Sequence, residues 1–433
     1  MIKILHFSDA HIDIANHGKR DPQTGLAIRV LDFLKALDTI VDRAIAEKVD
    51  LVIFAGDAYR DRTPAPTFQR EWGKRIKRLS AAGIQTLLVV GNHDISPAFG
   101  RAHAMQEYET LAIPHVKVLD RPVFLKPEDL EGLPIQVIAL PWITRSGLIA
   151  AMQNHDIKEE DISEHFASRL TQIILNWIDE SDPELPLIFT AHASVQGAVF
   201  GGERSVMLGN DQIIPGSLVK HPLIDYSALG HIHKPQNLNE NAHPPVIYPG
   251  SIERVDFGEV ADEKFFILAD IKKGETHVQW VPLKGRHFLD HSINLELMEV
   301  NTADSGDLPS LSTVTNYIRK HLPEIADIRD AVTRLSLIYP RHWDALIDEN
   351  WLRTYYEPAL ESQFVHKPLA ETRLRISENR DIASLPAPEL LKIYWKSNNV
   401  SSQEIKVLQE MAEKIIYNQY KEESLNQASE WES

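Results

Sequence analysis

The first half of the chain alternates two hydrophobic rhythms. Three short, almost continuously apolar runs, IKILHF, DLVIFAGD and QTLLVVGNHD, end in polar residues and read as buried strands. The segments between them carry helical periodicity. Residues 27–48 put Val30, Phe33, Leu34, Leu37, Ile40 and Ile45 on one side, and residues 65–82 space Phe68, Trp72, Ile76 and Leu79 by four, four and three. A helix near 100–112 and strands near 135–140, 186–191, 225–230 and 246–249 continue the alternation. Apolar strands separated by helices predict a largely buried α/β sheet.

Residues 264–271 and 276–282 read as a strand pair joined by a turn at KKGE, which closes a first domain near residue 283. The pattern then changes. HSINLELMEV reads as a strand, 310–321 as a helix, AVTRLSLIYP as a strand and TRLRIS, near 372–377, as another; together they make a small α+β unit. After Pro386-Ala387-Pro388 the chain turns helical. Ser401-Ser402-Gln403-Glu404 has the Ser-x-x-Glu spacing of a capping box, and Ile405, Leu408, Ala412 and Ile415 follow as an apolar stripe. The expected domains are therefore 1–283, 284–380 and 381–433. No repeat and no nucleotide-binding glycine loop is present, so the chain alone is not expected to hydrolyse ATP.

Composition narrows the class. A chain of 433 residues, 43% of them apolar, is long enough for two or three domains with real cores. It has no cysteine, which removes disulfides, thiolate zinc sites and cysteine nucleophiles. The apolar run in MIKILHFSDAH is too short for a signal segment, and no apolar stretch of about 20 residues occurs, so a cytoplasmic enzyme without a membrane partner is expected. A formal charge of −17 argues against a surface coated in phosphate contacts. Residues 60–78 depart from that balance: Arg60, Arg62, Arg70, Lys74, Arg75, Lys77 and Arg78 face only Asp61 and Glu71. This strip is either a guide for a polyanion or a solvated helix face.

The candidate chemistry gathers in five short segments, several at strand ends: SDAHID (Asp9, His11), AGDAYRD (Asp57), VGNHD (Asn92, His93, Asp94), TAHAS (His192) and LGHIH (His231, His233). In a parallel sheet the carboxyl ends share one edge, so residues distant in sequence can meet there. Asp9/His11 and His231/His233 are spaced i, i+2, which in an extended chain puts both side chains on one side. Carboxylate, imidazole and amide donors without sulfur suit manganese, iron or zinc. Seven such groups exceed one tetrahedral ion and match two ions that share a carboxylate, the clamp used for phosphate-ester hydrolysis.

The order D-x-H, G-D, G-N-H-D, H and G-H-x-H, across residues 7–233, resembles the calcineurin-like metallophosphoesterase superfamily. Within it the chain resembles the SbcD family of DNA nucleases, bacterial relatives of the double-strand-break repair nuclease. That likeness is carried by ILHFSDAHI, the GD segment followed by TPAPT, AHASVQGAVFGGERSV, GHIHKPQ and YPGSIERVDFGE. It implies a two-sheet sandwich flanked by helices, with a small α+β capping domain and C-terminal helices. It also implies that Asp9, His11 and His233 hold a first metal, that Asn92, His192 and His231 hold a second, and that Asp57 bridges them. His93 would be the catalytic histidine. Asp94 is one candidate to orient it, because the position three after the bridging Asp, which often carries Asp or His in relatives, is Arg60 here, with Asp61 next. Arg60 is either a contact to DNA phosphate, alongside Arg62, or a plain surface arginine.

The resemblance further implies two divalent ions, most commonly manganese, with exonuclease action on duplex ends and endonuclease action on single strands or hairpins. It implies as partners DNA, an SbcC-type coiled-coil ATPase that the final helices would meet, and a second copy of the chain through the helices at 65–82 and 100–112. Two rivals differ in what they need. A phosphomonoesterase or cyclic-nucleotide phosphodiesterase would share the motifs but has no evident need for the C-terminal third. A metal-free scaffold would be expected to have lost ligands, and all of them are present.

Overall fold

A computed structural model describes residues 1–15, 19–96, 101–143, 162–201, 213–298, 309–369, 387–397, 400–412 and 414. In chain order the first elements are β1 (Ile2–Phe7), α1 (Ile28–Glu47), β2 (Leu51–Phe54), α2 (Pro66–Ala81), β3 (Gln85–Val89), α3 (Gln106–Thr110), β4 (Val116–Leu119) and β5 (Val123–Leu125). Then come β6 (Gln136–Leu140), α4 (Ile162–Asp179), β7 (Leu187–His192), β8 (Ser194–Val195), β9 (Ile213–Ile214), β10 (Tyr226–Gly230), β11 (Gln236–Asn237), β12 (Val246–Tyr248), β13 (Lys264–Lys272) and β14 (Glu275–Leu283).

The strands divide between two six-stranded sheets, ordered β14-β13-β1-β2-β3-β4 and β11-β12-β10-β7-β6-β5. The expected α/β sandwich is thus present. Sequence periodicity alone reads a buried sheet without saying that there are two. β1, β2, β3 and β4 run parallel, as do β6, β7, β10 and β12, with antiparallel strands completing each sheet.

Side-chain alternation sorts the layers. On β1, Ile2 and Ile4 enter the core between the sheets with Ile53, Leu87, Val137, Ile188 and Ala228, while Leu5 and Phe7 enter the core under α1 and α2 with Phe33, Leu37 and Trp72. A third core lies on the other face of the second sheet, where Ile174 and Ile178 of α4 meet Phe189 and Tyr248. With both faces covered, β2, β3, β6 and β7 are buried along their whole length, which is why they read as unbroken apolar runs.

The helix expected at 100–112 is shorter, Gln106–Thr110. A further sheet, β15 (Phe288–Asn294), β16 (Val332–Pro340) and β17 (Glu361–Leu369), follows in the order β15-β16-β17. The strand expected near 372–377 lies outside the described residues. Helices at Leu311–His321 and Ala387–Ser397 match the periodicity. The capping box forms, with Ser401 Oγ 2.9 Å from the Glu404 carboxylate and 3.3 Å from Glu404 N. Ile405, read as the start of a stripe, is buried.

The chain falls into two compact units. The first is Met1–Ile293 with Ile318–Ser336 and Asp348–Val365; the second is Asn294–Tyr317 and Leu337–Ile347 with the described residues from His366 on. Among the described residues no helix is long and apolar enough to cross a membrane.

Candidate metal centre

Each of the five segments leaves the carboxyl end of a strand: Asp9 and His11 follow β1, Asp57 follows β2, Asn92, His93 and Asp94 follow β3, His192 ends β7, and His231 and His233 follow β10. β1 to β3 belong to one sheet, β7 and β10 to the other, so the site gathers at the edge where both sheets end. The backbone there is tightly curled. Asp9, His11, Asp57 and His231 all have positive φ, at 51°, 39°, 64° and 100°, a conformation that side chains larger than glycine rarely adopt. Such outliers persist only where the surroundings over-determine them, and they concentrate at functional sites.

What over-determines them is a lattice of backbone hydrogen bonds. Asp9 N donates to Gly56 O at 2.9 Å, and Ala10 N and His11 N donate to Asp57 O at 2.8 and 3.2 Å. His231 N lies 3.2 Å from both Asp9 oxygens, and Ser8 Oγ donates to Asp9 Oδ2 at 2.6 Å. Two glycines permit the close approach. A Cβ on Gly230 would stand 2.0 Å from Ala55 O, and one on Gly91 would stand 2.1 Å from Asp57 Oδ1.

Two donor clusters result. In the first, His11 Nε2 and His233 Nε2 lie 3.1 Å apart, with Asp9 close enough that one donor atom from each residue falls within 4.8 Å of the others. His11 Nδ1 faces Tyr59 O at 3.2 Å and His233 Nδ1 faces Glu259 Oε1 at 2.8 Å. A carbonyl and a carboxylate can only accept, so each Nδ1 carries the proton and each Nε2 presents a lone pair. Two lone pairs at this distance call for a shared cation.

In the second cluster, Asn92 Oδ1 lies 3.0 Å from His192 Nε2 and 3.0 Å from His231 Nδ1. His192 Nδ1 donates to Ala55 O at 2.7 Å, so its Nε2 also offers a lone pair, facing two acceptors. Asp57 stands between the clusters. Its Oδ2 is 3.3 Å from His192 Nε2 and 3.9 Å from His11 Nε2.

The electrostatics agree with a cation site. Burial lowers the pKa of His11 well below its usual value. Burial also pulls His192 down, but the Asp57 carboxylate outweighs it and lifts this ring to about 9, so the surroundings of His192 favour positive charge. The donors fit two divalent ions: lone pairs converge from neutral imidazoles, carboxylates and one amide oxygen, with no thiolate.

His231 and His233 face different clusters, and the positive φ at His231 means that the chain there is not extended. Asp94 differs from the expectation that it orients His93. Its carboxylate instead accepts Asp57 N, Ala58 N and Gly91 N at 2.8, 2.9 and 3.0 Å, tying the β2 and β3 loops together. Burial and the charge of Asp57 raise Asp94 to about 6 against the pull of those donors. The partner of His93 is the main chain: Nδ1 lies 2.7 Å from Arg60 O. The His93 ring stands edge-on to His11 with centroids 5.4 Å apart, and His93 N donates to Asp57 Oδ1 at 2.8 Å.

Three residues behind His233 went unassigned in the sequence. Glu259 receives His233 Nδ1–H, fully buried Lys264 at 2.6 Å, and Ser251 Oγ at 2.9 Å. Burial would raise Glu259, but Lys264 and His233 hold it below the usual carboxylate range. Lys264 opens β13 and Glu259 lies five residues before it, a spacing that no side-chain pattern in the sequence singles out.

The basic strip is largely neutralised. Arg70, Lys74 and Arg75 pair with Glu71, and Arg75 and Arg78 pair with Asp38 of α1. Arg60 and Arg62 are exposed and make no ion pair among the described residues. They line an open groove of about 740 Å³ with Asp13, Asp61, Ile14, Phe68 and His93. Arg62 also borders a neighbouring groove of about 880 Å³.

The sequence profile of the calcineurin-like phosphoesterases matches residues 2–235. Among solved structures, a dimetal phosphatase from Danio rerio is 12% identical with a TM-score of 0.40, over 64% of this chain and 95% of that one. The TT1561 protein of Thermus thermophilus is 14% identical with a TM-score of 0.35, over 64% of this chain and 98% of that one.

Proposed function

Because this chain belongs to the calcineurin-like phosphoesterase family, a family of metal-dependent hydrolases, we propose that it is a DNA phosphodiesterase of the SbcD type working with two manganese ions. The observation that carries the reading is the juxtaposition of two donor clusters, joined by Asp57, with His93 and an open groove lined by Arg60 and Arg62.

In this reading Asp9, His11 and His233 hold one ion, Asn92, His192 and His231 the other, and Asp57 both. When bound, such a pair supplies a nucleophile at neutral pH and neutralises charge on the phosphate oxygens. The protein residues do the rest. Tyr59 O, Ala55 O and Glu259 fix the tautomers of His11, His192 and His233 so that the correct nitrogens face inward. Arg60 O fixes Nδ1–H of His93, which leaves Nε2 to carry a proton to the leaving oxygen. Arg60 and Arg62 offer phosphate contacts along the groove, where such contacts set register rather than sequence preference.

The proposal extends to a coiled-coil ATPase partner of the SbcC type and to a homodimer. Tyr394, Val407 and Met411 stand exposed on the C-terminal helical segments, an apolar surface that the ATPase would cover.

The test is a pair of manganese-dependent assays on the full chain. Cleavage of linear duplex and hairpin DNA is expected. Turnover of phosphomonoesters or cyclic nucleotides without DNA cleavage would overturn the nuclease reading and favour the small-substrate one.

A further inference from the structure

The ring of His93 is held by a peptide, and that peptide is itself held. On the far side of the Arg60 peptide, Asp13 Oδ1 accepts Arg60 N–H at 2.6 Å and Asp13 Oδ2 accepts Asp61 N–H at 2.9 Å. Two consecutive N–H groups on one carboxylate are charge-assisted bonds that fix both the position and the plane of the loop. Arg60 O then receives His93 Nδ1–H at 2.7 Å. The exposed Arg60 side chain makes no ion pair among the described residues, so it does not secure this loop. The next residues add only a local turn, in which Asp61 Oδ1 accepts Thr63 N and Oγ1 at 3.0 and 3.1 Å.

We propose that Asp13 is a positioning residue for the hydrolysis assigned to this site, acting on His93 through the main chain of Arg60. The inference rests on the role given above to His93. It supplies, by a carboxylate and a carbonyl, what an Asp or His side chain at the position of Arg60 would otherwise do. Without the clamp, the exposed loop at 60–63 loses its anchor at the rim of the groove, and Nδ1–H of His93 loses a fixed acceptor. Both the tautomer and the aim of the ring then become free. Misplacing a catalytic group by about 1 Å can cost on the order of 100-fold in rate.

The experiment uses the full manganese-loaded chain with bis(p-nitrophenyl) phosphate as substrate, and compares Asp13→Ala and Asp13→Asn. Metal content is read alongside, as are the ¹⁵N resonances of the His93 ring in the chain loaded with diamagnetic zinc in place of manganese, assigned by their loss in His93→Ala. The expected result for Asp13→Ala is a fall in kcat of about 10- to 100-fold, with KM within about twofold and manganese unchanged. Asp13→Asn, which keeps one acceptor oxygen, is expected between wild type and Asp13→Ala. In both, the His93 nitrogens are expected to move towards a mixed-tautomer signal, which a purely structural staple would not cause.

Wild-type kcat in both variants would overturn the proposal. So would a loss that tracks departing manganese, or an unmoved His93 signal. If Asp13→Ala does not fold, Asp13→Asn decides by the same readings. Wild-type kcat in His93→Ala would instead overturn the role of His93 itself.

Discussion

At the scale of single residues, the imidazoles of His11, His93, His192 and His233 are each oriented by a neighbour. Tyr59 O, Ala55 O, Glu259 and Arg60 O each accept from one ring nitrogen, and the other nitrogen is left for a metal or a proton. This divides the residues into two mutant classes. His93→Ala is expected to keep its metal and lose about 10²- to 10⁴-fold in kcat, the usual worth of general acid–base help; elemental analysis beside kinetics checks both halves. Glu259→Gln is expected to keep the fold and weaken metal binding by about 10- to 100-fold, as is usual when a ligand's supporting partner is lost. Titration calorimetry with manganese reads this directly, and unchanged affinity would count against it. The ligands were legible in the sequence because acid and histidine residues clustered after apolar runs. Their supports were not: Tyr59, Ala55 and Arg60 act through backbone carbonyls and Glu259 is a distant acid, none of which a side-chain pattern announces. The i, i+2 spacing of His231 and His233 does not by itself say which cluster each ring meets, since the backbone is not extended where φ is 100°.

At the scale of elements, the helices α1 and α2 were legible because each buries one stripe against a sheet. Strands buried on both faces were legible as apolar runs. β4, β5 and α4 were not singled out: β5 is only three residues long and β4 is mostly half-buried, so neither carries a strong pattern. The division into two sheets came from the resemblance carried by the ordered motifs and not from periodicity, because buried strands of either sheet look alike. One polar residue marks the seam between them. His6 on β1 reaches across to Tyr226 Oη at 3.0 Å and Leu229 O at 3.2 Å on β10. Burial lowers its pKa from 6.5 to about 3. The unfolded chain therefore takes a proton below pH 6.5 that the folded chain refuses until about pH 3, and stability falls as pH drops through that window. The contribution is about 1.4 kcal/mol per pH unit. His6→Gln is expected to flatten the dependence of unfolding free energy on pH by about one proton across that window. Denaturant titrations at several pH values measure the slope, and an unchanged slope would contradict the assignment.

At the scale of the whole molecule, a net charge of −17 coexists with a groove beside the site whose lining is locally balanced, with Arg60 and Arg62 against Asp13 and Asp61. The strip read from sequence overstates its positive charge, because acids on α1 and Glu71 neutralise most of it, a pairing visible only once α1 and α2 lie side by side. Arg62 remains, at the junction of two grooves. Arg62→Ala is expected to weaken DNA binding about equally across sequences and to reduce the salt slope of binding by about one; an unchanged slope would place the DNA path elsewhere. The expectations for the site depend on a two-ion centre bridged by Asp57, so ion counting is the most direct measurement. Elemental analysis of the chain after loading with manganese and dialysis is expected to give about two ions per wild-type chain and fewer than one in Asp57→Ala. No ion in the wild type, or two ions retained in Asp57→Ala, would contradict the assignment.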